Sequence, residues 1–153
     1  MSREILKNTP IAKNLTDEEM NILLRVAQKR TYWIGETIIE EDSVGRDVFI
    51  LISGKVRVET AIPGEHEDKQ ILYTILPGEV FGEFSFIDGT PRSATIISDE
   101  ECEVIILSYT EFKTMAKEHT HLALTLMENI AKMLTERIRN INLEFRNSVI
   151  WGR

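Results

Sequence analysis

Apolar and polar positions follow three different rhythms along the chain. In residues 1–30 they keep helical spacing. Thr16-Asp17-Glu18-Glu19 has the form of a capping box, with Thr16 as N-cap and Glu19 reaching back, and Met20, Leu23, Leu24 and Ala27 then recur three or four apart. In residues 31–108 short β-branched and aromatic runs alternate with turn dipeptides such as Ser53-Gly54, Pro63-Gly64 and Pro77-Gly78. The pattern predicts strands over 37–40, 48–52, 55–62, 70–76, 94–98 and 103–107. Lys55-Val56-Arg57-Val58-Glu59 alternates strictly, as a strand with one wet face does. In residues 109–153 the helical period returns, first in Tyr109-Thr110-Glu111-Phe112-Lys113 and then as one long helix from about Leu122. The expected fold is mainly β: a jelly roll of short strands with N-terminal helices and a long C-terminal helix, all in one domain spanning 1–153.

The long helix carries Leu126, Ile130, Leu134, Ile138, Ile141, Phe145 and Val149 on one stripe. A small β domain is too short to cover such a stripe, so part of it is expected to meet a second copy as a homodimer seam. The alternative is that the stripe packs only on its own barrel.

Composition narrows the function classes. The net charge of −7 disfavours direct DNA binding, which wants a basic face. Cys102 is the single cysteine, so no internal disulfide forms, and its strand-like setting suggests a buried hydrophobe. The N-terminus lacks the apolar stretch of a signal peptide, and no apolar run approaches the roughly 18 residues that span a bilayer. No membrane contact and a cytoplasmic location are expected.

The stretch that invites chemistry is Pro77 to Thr95, too apolar for an idle loop and too rich in glycine for a strand. Gly82 lets an anion approach the backbone. Glu83 to Ile87 fits one short helical turn with free N–H groups at its start. Arg92, nine residues beyond Glu83, offers a planar fork for paired phosphate oxygens, with the Ser93 hydroxyl and the small Ala94 beside it. Glu83 repels phosphate but suits a neighbouring ribose 2′-OH. Together they describe a nucleotide monophosphate. The plainer alternative is a turn and a surface ion pair.

The run Phe81-Gly82-Glu83 … Pro91-Arg92-Ser93-Ala94-Thr95 resembles the phosphate-binding cassette of the cyclic nucleotide-binding domain family. That family includes kinase regulatory subunits, cyclic nucleotide-gated channels and bacterial catabolite-type regulators. Gly35-Glu36-Thr37-Ile38-Ile39 and Asp47-Val48-Phe49-Ile50-Leu51-Ile52-Ser53-Gly54 are similar to its early strands, and Cys102-Glu103-Val104 and Phe112 to its last strand and the helix after it. The resemblance implies a cyclic nucleotide sensor, not an enzyme, that needs no cofactor. Arg92 would take the exocyclic phosphate oxygens and Glu83 the ribose hydroxyl. Gly82, Phe84, Ser85, Ser93 and Ala94 would complete the ligand site. The C-terminal helix would close over the purine, with Arg137 stacked on it and Asn140 one turn on. Phe84 and Phe86 stand where the family has aliphatic residues. Ser93 leaves cyclic AMP and cyclic GMP both open, with cyclic AMP the expected ligand. Too few residues follow the lid helix for a helix-turn-helix, so the downstream partner is expected to be an unidentified protein.

Two other classes compete: a degenerate member that only scaffolds a dimer, and a cupin-like metal enzyme. The latter wants several histidines and a carboxylate at one metal. His66 sits alone in the acidic loop Gly64–Lys69, and His119 and His121 fall at the start of the C-terminal helix.

Overall fold

The computed structural model describes residues 2–64 and 68–152. Three helical pieces open the chain: α1 (Ser2–Lys7), a 3₁₀ turn (Pro10–Ala12) and α2 (Asp17–Val26). The capping box forms as the sequence predicts. Thr16 Oγ1 accepts from the Glu19 N–H at 3.1 Å and Glu19 Oε1 accepts from the Thr16 N–H at 3.1 Å. Such a cap stabilises a helix by about 1 kcal/mol.

Eight strands follow: β1 (Gln28–Tyr32), β2 (Thr37–Ile39), β3 (Val48–Ser53), β4 (Val56–Ala61), β5 (Lys69–Ile75), β6 (Val80–Phe81), β7 (Thr95–Ser98) and β8 (Cys102–Leu107). They make two four-stranded antiparallel sheets, in the orders β1-β8-β3-β6 and β2-β7-β4-β5. Two antiparallel sheets flanked by helices are the mainly β architecture that the turn spacing implies. The helical zone ends at Val26 rather than near Arg30. Gln28–Tyr32 is an edge strand paired to β8, and four of its five side chains are exposed, which is why no apolar alternation marks it. β4 and β5 pair as a hairpin, and the acidic loop between them includes 65–67, outside the described residues along with His66.

Period-two alternation explains the unbroken apolar run of β3. Phe49 and Leu51 point between the sheets, where they meet Val56, Val58, Phe81, Ile96 and Val104. Val48, Ile50 and Ile52 point to the other side, onto Leu23, Phe112, Leu122 and Leu126 of the helical layer. β8 divides likewise, Val104 and Ile106 inward and Ile105 and Leu107 outward. Burying each such side chain contributes roughly 1.5–3 kcal/mol. Cys102 is fully buried in the inter-sheet core, and burial raises its thiol above the ordinary range, as fits an inert packing residue.

A short helix α3 (Glu83–Asp88) lies between β6 and β7, and after β8 come α4 (Tyr109–Glu118) and α5 (Thr120–Trp151). At 32 residues α5 is about 48 Å long. Its buried residues all lie between Leu122 and Ile130. Asn129 anchors that half: its side-chain amide donates to the Ile11 and Lys13 carbonyls, each at 2.8 Å. The apolar stripe is therefore divided. Leu126 and Ile130 join the core, whereas Ile138, Ile141, Phe145 and Val149 are exposed. Among the described residues no helix is long and apolar enough to cross a membrane.

Candidate functional site

The cassette folds as β6, a left-handed Gly82, the helix α3 (Glu83–Asp88), a left-handed Gly89 and an extended return to β7. Gly82 has φ 76°, which a side chain strongly disfavours. A Cβ there would also lie 2.9 Å from Arg92 Nη1 and 3.0 Å from the Asp47 carbonyl oxygen. Glycine is thus required both by the turn into α3 and by the guanidinium that packs against it.

Arg92 is 6% exposed. Nη1 donates to the Gly82 carbonyl and Nη2 to the Asp47 carbonyl, each at 3.0 Å. Its backbone is fixed by the loop before β3, through its N–H to the Ser43 carbonyl at 2.9 Å and its carbonyl from the Asp42 N–H at 2.8 Å. The guanidinium also lies 5.9 Å from the Phe49 ring centre, and Phe49 in turn stacks on Phe81. Among the described residues no carboxylate oxygen comes within 4 Å of it. Burial lowers the pKa of this cation, and the charges of Asp47 and Glu83 only partly offset that. Two of five N–H donors have protein acceptors, both neutral. Holding a buried cation without a counter-charge is costly.

Glu83 is the first residue of α3 and is also 6% exposed. It lines the same cleft as Arg92, together with Gly82, Phe84, Ser85, Ser93 and Ala94. The cleft is narrow, with a cavity volume of about 40 Å³, and its apolar wall is Ile39, Val58, Phe81 and Ile96. All seven cassette residues named from the sequence therefore surround one space. Ser85 is buried, whereas Ser93 and Phe84 are exposed at the mouth. Neither of the two residues assigned to the lid helix lines this cleft. Arg137 donates to the Glu83 carboxylate rather than lying free to cover a base. With the exposed Asn140 it lines a different groove, together with Asn8, Thr9, Pro77 and Glu79.

Tyr73 of β5 completes the wall and escaped the sequence reading. Burial of its phenol raises the pKa, opposed by Arg137 and reinforced by Glu83 and Glu79. The Asp47 carbonyl was equally hidden, because it meets Arg92 across 45 positions of sequence and no local pattern reports such a contact. His121 pairs with Glu19 at 2.8 Å, His119 joins α4 to α5, and no cluster of three or more potential metal ligands occurs among the described residues.

Comparison with known proteins agrees with this geometry. The family model described as Cyclic nucleotide-binding domain matches residues 29–119. The chain is 30% identical over 139 residues to the "Cyclic AMP receptor protein" of Thermus thermophilus, covering 91% of this chain and 62% of that protein. It is 29% identical over 140 residues to human "cGMP-dependent protein kinase 2", covering 92% of this chain and 17% of the kinase. The crystal structure of the Thermus thermophilus Catabolite Activator Protein superposes with a TM-score of 0.78 at 28% identity, over 90% of this chain and 62% of that one. The chain thus spans about three fifths or less of these relatives' lengths. With the matched residues running from β1 through α4 and enclosing the whole cassette, this chain belongs to the cyclic nucleotide-binding domain family.

Proposed function

We propose that this chain is a non-enzymatic sensor whose ligand is cyclic AMP, and that binding repositions α5. The observation that carries the reading is the buried, ion-pair-free Arg92 guanidinium facing the same cleft as the buried Glu83 carboxylate. One group suits a singly charged phosphodiester and the other a sugar hydroxyl. The phosphate takes the donors of Arg92 that lack a protein acceptor, close to Gly82. The ribose hydroxyl donates to Glu83 and competes there with Arg137.

That competition gives the ligand a handle on α5. Arg137 belongs to α5 and Glu83 to the cassette, so their pair joins pocket and helix directly. A ligand that bonds Glu83 changes the contact, and it shifts the helix to the extent that it favours one arrangement over the other. The Thermus relative's name supports cyclic AMP and the kinase's name cyclic GMP. Ser93 on the phosphate side is the feature that favours cyclic AMP by resemblance to the bacterial regulators. The signal passes to another protein, since a chain of net charge −7 is poorly suited to the DNA backbone.

Thermal unfolding with each cyclic nucleotide tests this. Ligand at 100 times its dissociation constant stabilises the fold by about 2.7 kcal/mol. Cyclic AMP should raise the midpoint, and more than cyclic GMP at equal concentration. No shift with either would leave the chain a dimerising scaffold.

A further inference from the structure

We propose that Arg46 is the positioning residue that fastens the cassette helix α3 to α4, so that ordering of the cassette is passed to the C-terminal helices. The inference rests on the ligand reading above and adds to it the part that transmits.

Arg46 lies just before β3 and is remote in sequence from everything it holds. Its Nε–H donates to the Ser85 carbonyl at 3.2 Å, and Nη2 donates to the Phe86 and Ile87 carbonyls at 2.9 and 3.2 Å. These carbonyls lie at the C-terminal end of α3, where helix acceptors run out of partners and a cation is favoured. The opposite surface of the guanidinium is covered by Tyr109, the first residue of α4, whose ring centre is 3.5 Å from Arg46 Cζ. Phe86 of α3 packs edge-on against both Tyr109, at 5.7 Å, and Phe112, at 5.3 Å. One planar cation thus sits between the end of α3 and the start of α4.

The next residue holds the other end of the cassette. The Asp47 carbonyl accepts from Arg92 Nη2, and Arg92 also bonds the Gly82 carbonyl at the entrance to α3. The dipeptide Arg46-Asp47 therefore grips both ends of the segment that surrounds the cleft. Movement at Arg92 or Glu83 has a stiff route to Tyr109 through α3 and Arg46. Lysine does not replace this residue, because a compact ammonium cannot face three carbonyls in a plane and an aromatic ring at once.

Dissociation of fluorescently labelled cyclic AMP from the full chain tests the proposal in a mutant cycle. Arg46→Met and Tyr109→Leu should each speed release by about tenfold, and the double variant by little more than either alone. Tyr109→Phe keeps the ring face and should release ligand at the wild-type rate. If Arg46→Met does not fold, Arg46→Lys and Tyr109→Leu carry the same cycle, with Lys failing to restore slow release. Wild-type release rates in the Arg46 variants, or single effects that multiply in the double variant, would overturn the clamp and leave the ligand reading intact. Absence of binding by the wild type would overturn both.

Discussion

A guanidinium 6% exposed with only neutral oxygens for partners is an expensive object for a small domain to keep. Its neighbours explain how it is kept. Gly82 leaves room for Nη1, Phe49 offers a ring, and two carbonyls fix the plane of the fork. The glycine is the most fragile part. Gly82→Ala combines the left-handed penalty of roughly 1–2 kcal/mol with a contact against the Asp47 carbonyl. It should lower unfolding free energy in urea by about that amount and weaken cyclic AMP binding as well; unchanged stability would mean that the turn at 82 relaxes freely. The cassette was legible in the sequence because Gly82, Glu83, Arg92, Ser93 and Ala94 sit in one short run. Arg46, Asp47 and Tyr73 were not, since each arrives from another strand or loop and carries no local signature.

At the level of elements, strands with a strong apolar period were found close to their predicted positions, and the elements that were missed lack that period. β1 presents Gln28, Lys29, Arg30 and Thr31 to solvent, so nothing but its pairing to β8 defines it. β6 has two residues and hides inside the cassette. The alternation of β4 is interrupted by a register shift between Val58 and Glu59, and Glu59 is buried, where the pattern placed it on the wet face. β1 and α1 are tied to β8 through one carboxylate: Glu103 accepts from Ser2 Oγ at 2.7 Å and lies 2.8 Å from Lys29 Nζ. Lys29 and Ser2 hold its pKa below the ordinary 4.5. A depressed carboxylate pKa stabilises the fold above the unfolded value and loses that contribution as pH falls through the folded one. Unfolding free energy should accordingly decline as pH drops below about 4.5, and Glu103→Gln should flatten part of the decline. An identical pH profile for the variant would show that the ties are too solvated to matter.

For the whole molecule, the feature left over is the part of α5 beyond Arg137, whose large apolar side chains lie exposed among the described residues. From Leu124 a heptad runs through Leu124, Ala131, Ile138 and Phe145 at one seam position and Met127, Leu134 and Ile141 at the other. Ile138 is 58% exposed and Phe145 70%. Apolar surface in this pattern is covered best by the same helix of a second copy. Sedimentation equilibrium should therefore give a dimer, and Ile138→Glu with Phe145→Glu should give a folded monomer, since neither residue belongs to the core. A wild-type monomer would show that the seam is not used this way. The sequence stripe could not reveal the division of labour, because Leu126 and Ile130 have the same spacing as the exposed half and differ only in lying over the β roll.

Ligand recognition depends most on Arg92 meeting a phosphate. Calorimetric titration of cyclic AMP into the wild type and Arg92→Ala is the most direct test. The wild type should bind, and the variant should lose about 2–5 kcal/mol of affinity while retaining the fold. Equal affinity in the two proteins would contradict the assignment.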